Sequence, residues 1–142
     1  MLVRKITLGI LFVAIVLLLA SRTLDLHNWN LTFRDTQAMR VQFDLEVIRS
    51  ALALYKAENG AYPSTDQGIA ALVVKPTSPP IPRNWTQRLS AVPKDPWENE
   101  YFYLCPGRTN VTGYDLFSAG PDGKPYTADD DWGKSSNDLT NR

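Results

Sequence analysis

The chain has 142 residues, a formal net charge of zero at neutral pH and an apolar share of 44%. These values fit one small hydrophobic core with an appendage. They argue against nucleic acid as a partner, because phosphate binding needs a basic face. The single cysteine, Cys105, cannot form a disulfide within the chain, so something else must brace the loop-rich C-terminal half.

The N-terminal segment is almost unbroken apolar sequence from Ile6 to Ala20. A run that is apolar on every side predicts a membrane-embedded helix and not a surface helix. Arg4 and Lys5 precede the run, which favours an inside N-terminus and export of the remaining chain. The open alternative is a cleaved secretory signal, which would export the remainder as well. We predict a transmembrane anchor over residues 1–21.

The next segment, residues 22–36, shows no clear hydrophobic period, and we predict a connector of uncertain structure there. From about Gln37 the pattern becomes helical. Apolar residues then recur at steps of three and four, which places one stripe along a helix: Val41, Leu45, Ile48, Leu52 and Tyr55. Asn59-Gly60 predicts the end of this helix, since glycine accepts the left-handed conformation. The stripe should pack on a globular domain formed within residues 37–142.

Three kinds of element follow the helix. Ser64–Gln67 is typical of a capping box that opens a short helix. The proline-dense passage Pro76–Pro96 excludes a long helix or a central strand, and we predict a fixed loop on the domain surface. Aromatic residues predict two short strands, Tyr101–Leu104 and Tyr114–Phe117, in a small antiparallel sheet. The predicted fold class is therefore α+β.

The C-terminal loop carries four carboxylates within ten residues, at Asp122, Asp129, Asp130 and Asp131. Without a counter-charge these groups would repel one another. A divalent cation would turn the repulsion into cohesion, and the lack of nearby cysteine or histidine favours calcium over zinc. Magnesium is a weaker candidate, because it keeps several of its waters. Two interpretations stay open from the loop alone: a calcium site and a solvated acidic turn.

The sequence shows no nucleophile with an adjacent base, and its single histidine, His27, lies in the connector. We therefore predict no enzymatic activity. A secreted hydrolase that uses the acidic loop is the weakest alternative, because it requires carboxylates with separated pKa values in a cleft.

Four blocks in this order resemble the major pseudopilin family of type II secretion systems (general secretion pathway protein G). They are Asp44–Pro63 with its Asn-Gly-Ala-Tyr-Pro turn, Ser64–Leu72, the Pro-Lys-Asp-Pro-Trp loop Pro93–Trp97, and the stretch Tyr114–Asp130. The resemblance covers about residues 38–133. It implies a pilin-like fold, in which a long N-terminal helix packs on a small antiparallel sheet and a calcium loop follows.

The resemblance also implies the ligands of a bound Ca²⁺ ion. The implied side-chain ligands are Asp122, Asp129 and Asp130. Main-chain oxygens are expected from Leu116 and Ser118, and Asp131 is the substitute ligand.

The resemblance implies a structural subunit that polymerises into a short periplasmic pseudopilus. The expected partners are other pseudopilins, the inner-membrane assembly platform of the secretion system, and membrane lipid through the N-terminal helix. The expected location is the bacterial inner membrane, crossed once, with the C-terminal domain in the periplasm.

The chain departs from the family pattern in three places. Family precursors carry a Gly-Phe-Thr-Leu-x-Glu junction, whereas no glycine-phenylalanine step precedes this apolar run and no glutamate lies within it. The connector does not resemble the family's continuous helix. Glu98 stands where the family usually has glycine. The missing junction motif favours an alternative function, a non-polymerising membrane-anchored accessory or binding protein that uses a pseudopilin-type domain.

Overall fold

A computed structural model describes residues 2–133 of the chain. Its elements, in chain order, are helix α1 (Leu2–Asn59), a 3₁₀ helix (Ile69–Leu72), strand β1 (Phe102–Leu104) and strand β2 (Asp115–Phe117). The chain divides into two compact units at the boundary between Gln37 and Ala38.

The predicted anchor, residues 1–21, is described only in part. Apart from Ile15 and Val16, its side chains lie outside the described residues. Within what is described, no helix combines the length and the apolar character needed to cross a membrane.

The helix continues through the predicted connector, which corrects the expected start near Gln37. Helix α1 runs without interruption from Leu2 to Asn59. An apolar period indicates a buried face, whereas a helix itself requires only residues that keep its backbone conformation and hydrogen bonds. No proline or glycine lies between Ile10 and Asn59. The Phe33–Thr36 side chains are exposed, so no buried stripe marks that turn.

The predicted apolar stripe of α1 forms the centre of the core. Its members are between 0% and 3% exposed: Val41, Leu45, Ile48, Leu52 and Tyr55. They pack with side chains from the 3₁₀ helix and both strands: Ile69, Leu72, Tyr101, Tyr103 and Leu116. At the border of this face the Tyr101 hydroxyl donates to Asp44 at 2.9 Å. The prediction that the stripe packs on the domain is confirmed.

Helix α1 ends at the predicted residue pair. Gly60 has φ 84°, and its N–H donates to the Lys56 carbonyl at 2.7 Å. The Asn59 side-chain amide donates to the Tyr55 carbonyl at 3.0 Å. The Gly60 bond gives a partner to the Lys56 carbonyl, one of the last four carbonyls of the helix, and the Asn59 side chain adds a second bond at the same end.

The Ser64–Gln67 capping box has both of its reciprocal hydrogen bonds. The Gln67 N–H donates to Ser64 Oγ at 3.3 Å, and the Ser64 N–H donates to Gln67 Oε1 at 3.1 Å. Gly68 follows with φ 56°, outside the helical region. The short helix is therefore a single 3₁₀ turn, Ile69–Leu72, and ends before Val73.

The proline-dense passage is a fixed loop, as predicted. The Trp85 indole donates to the Ala71 carbonyl at 2.7 Å. The N–H groups of Arg88 and Leu89 both donate to the Leu72 carbonyl, at 2.8 and 3.0 Å. These bonds fasten the loop to the 3₁₀ helix, so it is part of the folded domain and not a linker.

Strands β1 and β2 pair antiparallel, with Phe102 opposite Phe117 and Tyr103 opposite Leu116. Each strand begins one residue later than predicted. Because side chains alternate across a strand, Tyr103 and Leu116 join the core. The rings of Phe102 and Phe117 lie 4.8 Å apart on the opposite face, toward the acidic loop.

Candidate functional site

We define the acidic loop as residues 118–133, which follow β2 directly. Its two ends are joined by a pair of backbone hydrogen bonds between Ser118 and Asp131, both 2.9 Å long. The Arg49 guanidinium on α1 donates to the Trp132 carbonyl at 2.5 Å, and the Trp132 ring stacks on Phe117 at 4.1 Å. The base of the loop is therefore fixed to the sheet and to α1.

Asp129 connects opposite sides of the loop. Its Oδ1 accepts a hydrogen bond from the Thr127 hydroxyl at 2.6 Å, and its Oδ2 accepts one from the Asp122 N–H at 3.2 Å. The bond from Thr127 is the main reason that the pKa of Asp129 lies below its usual value. The carboxylate is therefore ionised at neutral pH. The exposed Asp122 accepts the Lys124 N–H at 2.8 Å.

Asp130 has one satisfied carboxylate oxygen and one unsatisfied oxygen. Its Oδ2 accepts the N–H groups of Tyr126 and Thr127 at 2.7 and 3.1 Å. Its Oδ1 is buried and has no hydrogen-bond partner among the described residues. A buried carboxylate oxygen without a donor is costly. This oxygen fits a bound hard cation, which would supply the missing positive charge.

The other three predicted ligands are Leu116, Ser118 and Asp131, and they belong to strand β2 or to the hydrogen bonds at the base of the acidic loop. Leu116 lies in the middle of β2, and the Ser118 carbonyl accepts the Asp131 N–H. The Asp131 carboxylate accepts the Gly133 N–H at 2.8 Å. The structure thus brings Asp122 and Asp129 into contact and holds Asp130 nearby in the same loop. Among the side chains that the structure describes, however, no three acidic, histidine or cysteine groups converge closely enough to hold a metal.

Asp95 holds the start of the acidic loop, a role that sequence analysis missed. It is fully buried. Its Oδ2 accepts the Ser118 hydroxyl at 2.6 Å, and its Oδ1 accepts the N–H groups of Trp97 and Asn99 at 3.0 and 2.8 Å. The Asp-Pro step in the Pro93–Trp97 block is typical of a turn, but it does not reveal the distant partner Ser118.

The turn after Asp95 keeps a glycine-like backbone without glycine. Glu98 has φ 67°, in the left-handed region that favours glycine. Its N–H donates to the Asp95 carbonyl at 3.0 Å. The departure from the family at Glu98 therefore leaves the tight turn in place.

Asp115 is a second buried carboxylate that sequence analysis missed, because it lies inside a predicted strand. It accepts hydrogen bonds of 2.5 to 3.2 Å from N–H and O–H groups of four residues: Arg108, Thr109, Asn110 and Tyr126. Burial alone raises the pKa of Asp115, but these hydrogen bonds outweigh burial and lower the pKa to about 2. Asp115 thus joins the turn after β1 to the acidic loop.

Gly120→Ala is expected to destabilise the acidic loop. Gly120 has φ 65°, and an added Cβ would overlap the backbone carbonyl oxygen of Asp129. The contacted oxygen belongs to the backbone, so relief of the overlap needs a backbone shift, and we expect a loss of about 2–4 kcal/mol in the free energy of unfolding. Urea denaturation of the full chain in detergent measures this loss.

Gly60→Ala is the matched control for Gly120→Ala. Gly60 also has a positive φ, 84°, but an added Cβ there meets nothing within 4 Å. Its cost is limited to backbone strain, about 1 kcal/mol. Equal losses for the two variants would contradict the close approach of Gly120 to Asp129.

Comparisons with known proteins agree on one family. The family model for protein G of the type II secretion system matches residues 31–135. The chain is 40% identical over 129 residues to the type II secretion system core protein G of Dickeya chrysanthemi, which covers 89% of this chain and 83% of that relative. It is 49% identical over 90 residues to the core protein G of Pseudomonas aeruginosa, which covers 62% of each.

A solved structure supports the same assignment. The crystal structure of the major pseudopilin from the type 2 secretion system of enterohaemorrhagic Escherichia coli matches with a TM-score of 0.63 and 42% identity. The match covers 70% of this chain and 87% of that chain. The sequence and the fold together show that the chain belongs to the type II secretion system protein G family.

Proposed function

We propose that this chain is a structural subunit of a type II secretion pseudopilus and that Ca²⁺ in the acidic loop stabilises it. The match to a crystallised major pseudopilin, over 87% of that chain, carries the structural role. Helix α1 adds support, because several of its apolar side chains are more than half exposed: Phe33, Met39, Phe43 and Leu54. Such side chains can pack against neighbouring subunits.

The proposed location and partners follow from this role. The apolar run Ile6–Ala20 serves as a single-pass anchor in the inner membrane, and the domain that follows lies in the periplasm. Other pseudopilins and the inner-membrane assembly platform are the proposed partners. The role is one of packing surfaces and not of catalysis.

A second candidate is a non-polymerising accessory protein anchored in the membrane. One observation favours it: the Ile6–Ala20 run contains no glutamate. Crosslinking in cells that produce the secretion system separates the two candidates. A photoreactive residue at Met39 on α1 is compared with one at Val111 on a loop, since both side chains are 72% exposed. A ladder of multimers from position 39 supports a polymer, whereas monomer alone would support the accessory protein.

Calcium is expected to raise the melting temperature of the full chain. An ion that binds only the folded state stabilises it by about 2.7 kcal/mol when its concentration is a hundredfold above Kd. The buried, unpartnered Oδ1 of Asp130 supports this expectation. Thermal melting in detergent with calcium, with magnesium and with EDTA measures the effect. Equal melting temperatures in calcium and EDTA would contradict the metal site.

Asp130→Asn tests which residue holds the ion. The substitution keeps the side-chain shape but removes the charge, so the calcium-dependent shift should shrink to a small fraction. Asp66→Asn is the control, because Asp66 is an exposed aspartate outside the acidic loop. It should leave the calcium shift unchanged. A full shift in Asp130→Asn would remove Asp130 from the ligand set.

A further inference from the structure

Tyr126 has an unusual backbone conformation for a residue with a side chain. Its φ is 66°, and in the described part of the chain the only other non-glycine residue with positive φ is Glu98. The left-handed region costs free energy for any residue that carries a Cβ, and glycine would adopt it freely. Contacts elsewhere must therefore hold Tyr126 in place.

The left-handed turn at Tyr126 aims two successive N–H groups at one carboxylate. Consecutive N–H groups can converge on an anion when one residue of the turn is left-handed. The N–H groups of Tyr126 and Thr127 both donate to Asp130 Oδ2, at 2.7 and 3.1 Å. This arrangement fixes the Asp130 carboxylate and leaves its buried Oδ1 without a partner.

The Tyr126 side chain is held by the sheet and by the turn after β1. Its ring lies 5.4 Å from the rings of both Phe102 and Phe117, in edge-on geometry. The Arg108 guanidinium lies 4.9 Å from the centre of the ring. The hydroxyl donates to Asp115 Oδ2 at 3.1 Å. All four contact partners lie outside the acidic loop, so the Tyr126 side chain attaches the loop to the sheet and to the turn after β1.

We propose that Tyr126 is a positioning residue for the cation site. Its anchored side chain keeps the backbone in the left-handed turn that orients the Asp130 carboxylate. The Asp130 carboxylate is thereby oriented before an ion arrives, so its ordering adds less to the entropic cost of binding. The inference rests on the proposed calcium site for its effect on affinity. The anchoring of the loop can be tested without metal.

The test compares Tyr126→Gly, Tyr126→Phe and Glu98→Gly in the full chain. Tyr126→Gly frees the backbone and removes the anchor. Tyr126→Phe removes only the bond to Asp115. Glu98→Gly is the matched control, since it frees a positive φ of 67° outside the acidic loop. Calorimetry gives the calcium Kd, melting in EDTA gives the stability of the metal-free chain, and NMR gives the chemical shift of the residue 127 amide.

Tyr126→Gly should raise the calcium Kd about tenfold, as loss of a group that orients a ligand does. It should lower the melting temperature in EDTA and shift the residue 127 amide signal upfield as the bond to Asp130 opens. Tyr126→Phe should show smaller changes in the same directions. Glu98→Gly should leave the Kd and this amide signal unchanged.

Two outcomes would overturn the proposal. If Tyr126→Gly keeps the wild-type Kd and amide shift, the side chain does not position Asp130. If the wild-type chain binds no calcium, the proposed metal site fails. The measurements in EDTA then test only whether the Tyr126 side chain anchors the acidic loop. That anchoring would be refuted if Tyr126→Gly were as stable as Glu98→Gly and left the residue 127 amide signal unmoved.

Discussion

Replacing Asp115 by asparagine is expected to lower the free energy of unfolding by about 3 kcal/mol, because it leaves buried donors without an acceptor. Asp115 is 1% exposed and accepts the N–H groups of Arg108, Thr109 and Asn110. Asparagine offers a single acceptor oxygen, and its amide group would face donors that cannot reverse. Urea denaturation of the full chain in detergent measures the loss. Asp66→Asn, at an exposed position, controls for the loss of one charge.

The pH dependence of this loss provides a second measurement. The pKa of Asp115 is lowered to about 2 in the folded chain from an ordinary value of 3.8. A carboxyl group whose pKa is lowered by folding stabilises the folded chain. This contribution is complete when the pH lies above the ordinary pKa, and it is lost as the pH falls through the pKa of the folded chain. The contribution is about 2 kcal/mol by this linkage.

The wild-type chain should therefore lose stability more steeply than Asp115→Asn as the pH falls toward about 2. The difference in the free energy of unfolding between the two chains should become smaller as the pH falls from 3.8 to about 2. A constant difference from neutral pH to acid would show that Asp115 does not titrate with a lowered pKa.

The acidic-loop anchor also depends on Asp115. The carboxylate that organises Arg108–Asn110 accepts the Tyr126 hydroxyl as well. A variant at Asp115 should therefore weaken calcium binding even though Asp115 is not a proposed ligand. The sheet, the turn after β1 and the acidic loop form one cooperative network in which the effects of substitutions will not add.

The α1 stripe was predictable from sequence because burial imposes a period on the residues that face the core. Val41 and Tyr55 lie four turns apart on one face, and both are buried. The same reasoning misplaced the start of α1, since an exposed helical turn such as Phe33–Thr36 has no such period. The turns were predictable for a different reason: Gly60 and the Ser64–Gln67 capping box depend on local chemistry alone.

The acidic loop was only partly predictable from sequence. Clustered aspartates identified the loop, but Asp95 and Asp115 have partners that the tertiary fold brings to them. Ser118 lies 23 residues after Asp95, and Tyr126 lies 11 residues after Asp115. Tyr126 has a positive φ that a residue with a side chain disfavours, and its ring contacts outweigh the cost of this conformation. A pattern of single residues contains no information about such contacts.

Two leucines of helix α1, one buried and one exposed, test which face of the helix packs in the core. Leu52→Ala should lower the free energy of unfolding by about 3–5 kcal/mol, because it removes buried methyl groups and leaves a cavity. Leu52 is 0% exposed, whereas Leu54, two residues later on α1, is 51% exposed. Leu54→Ala makes the same chemical change and should cost less than about 1 kcal/mol.

The pair Leu52→Ala and Leu54→Ala isolates burial, because helix propensity changes equally at the two positions. Urea denaturation of the full chain in detergent gives both values under one set of conditions. Equal losses of unfolding free energy for the two variants would mean that α1 presents a different face to the core. A selective loss at Leu52 would leave the outer face of α1, including Phe43 and Leu54, free for the subunit contacts proposed for the pseudopilus.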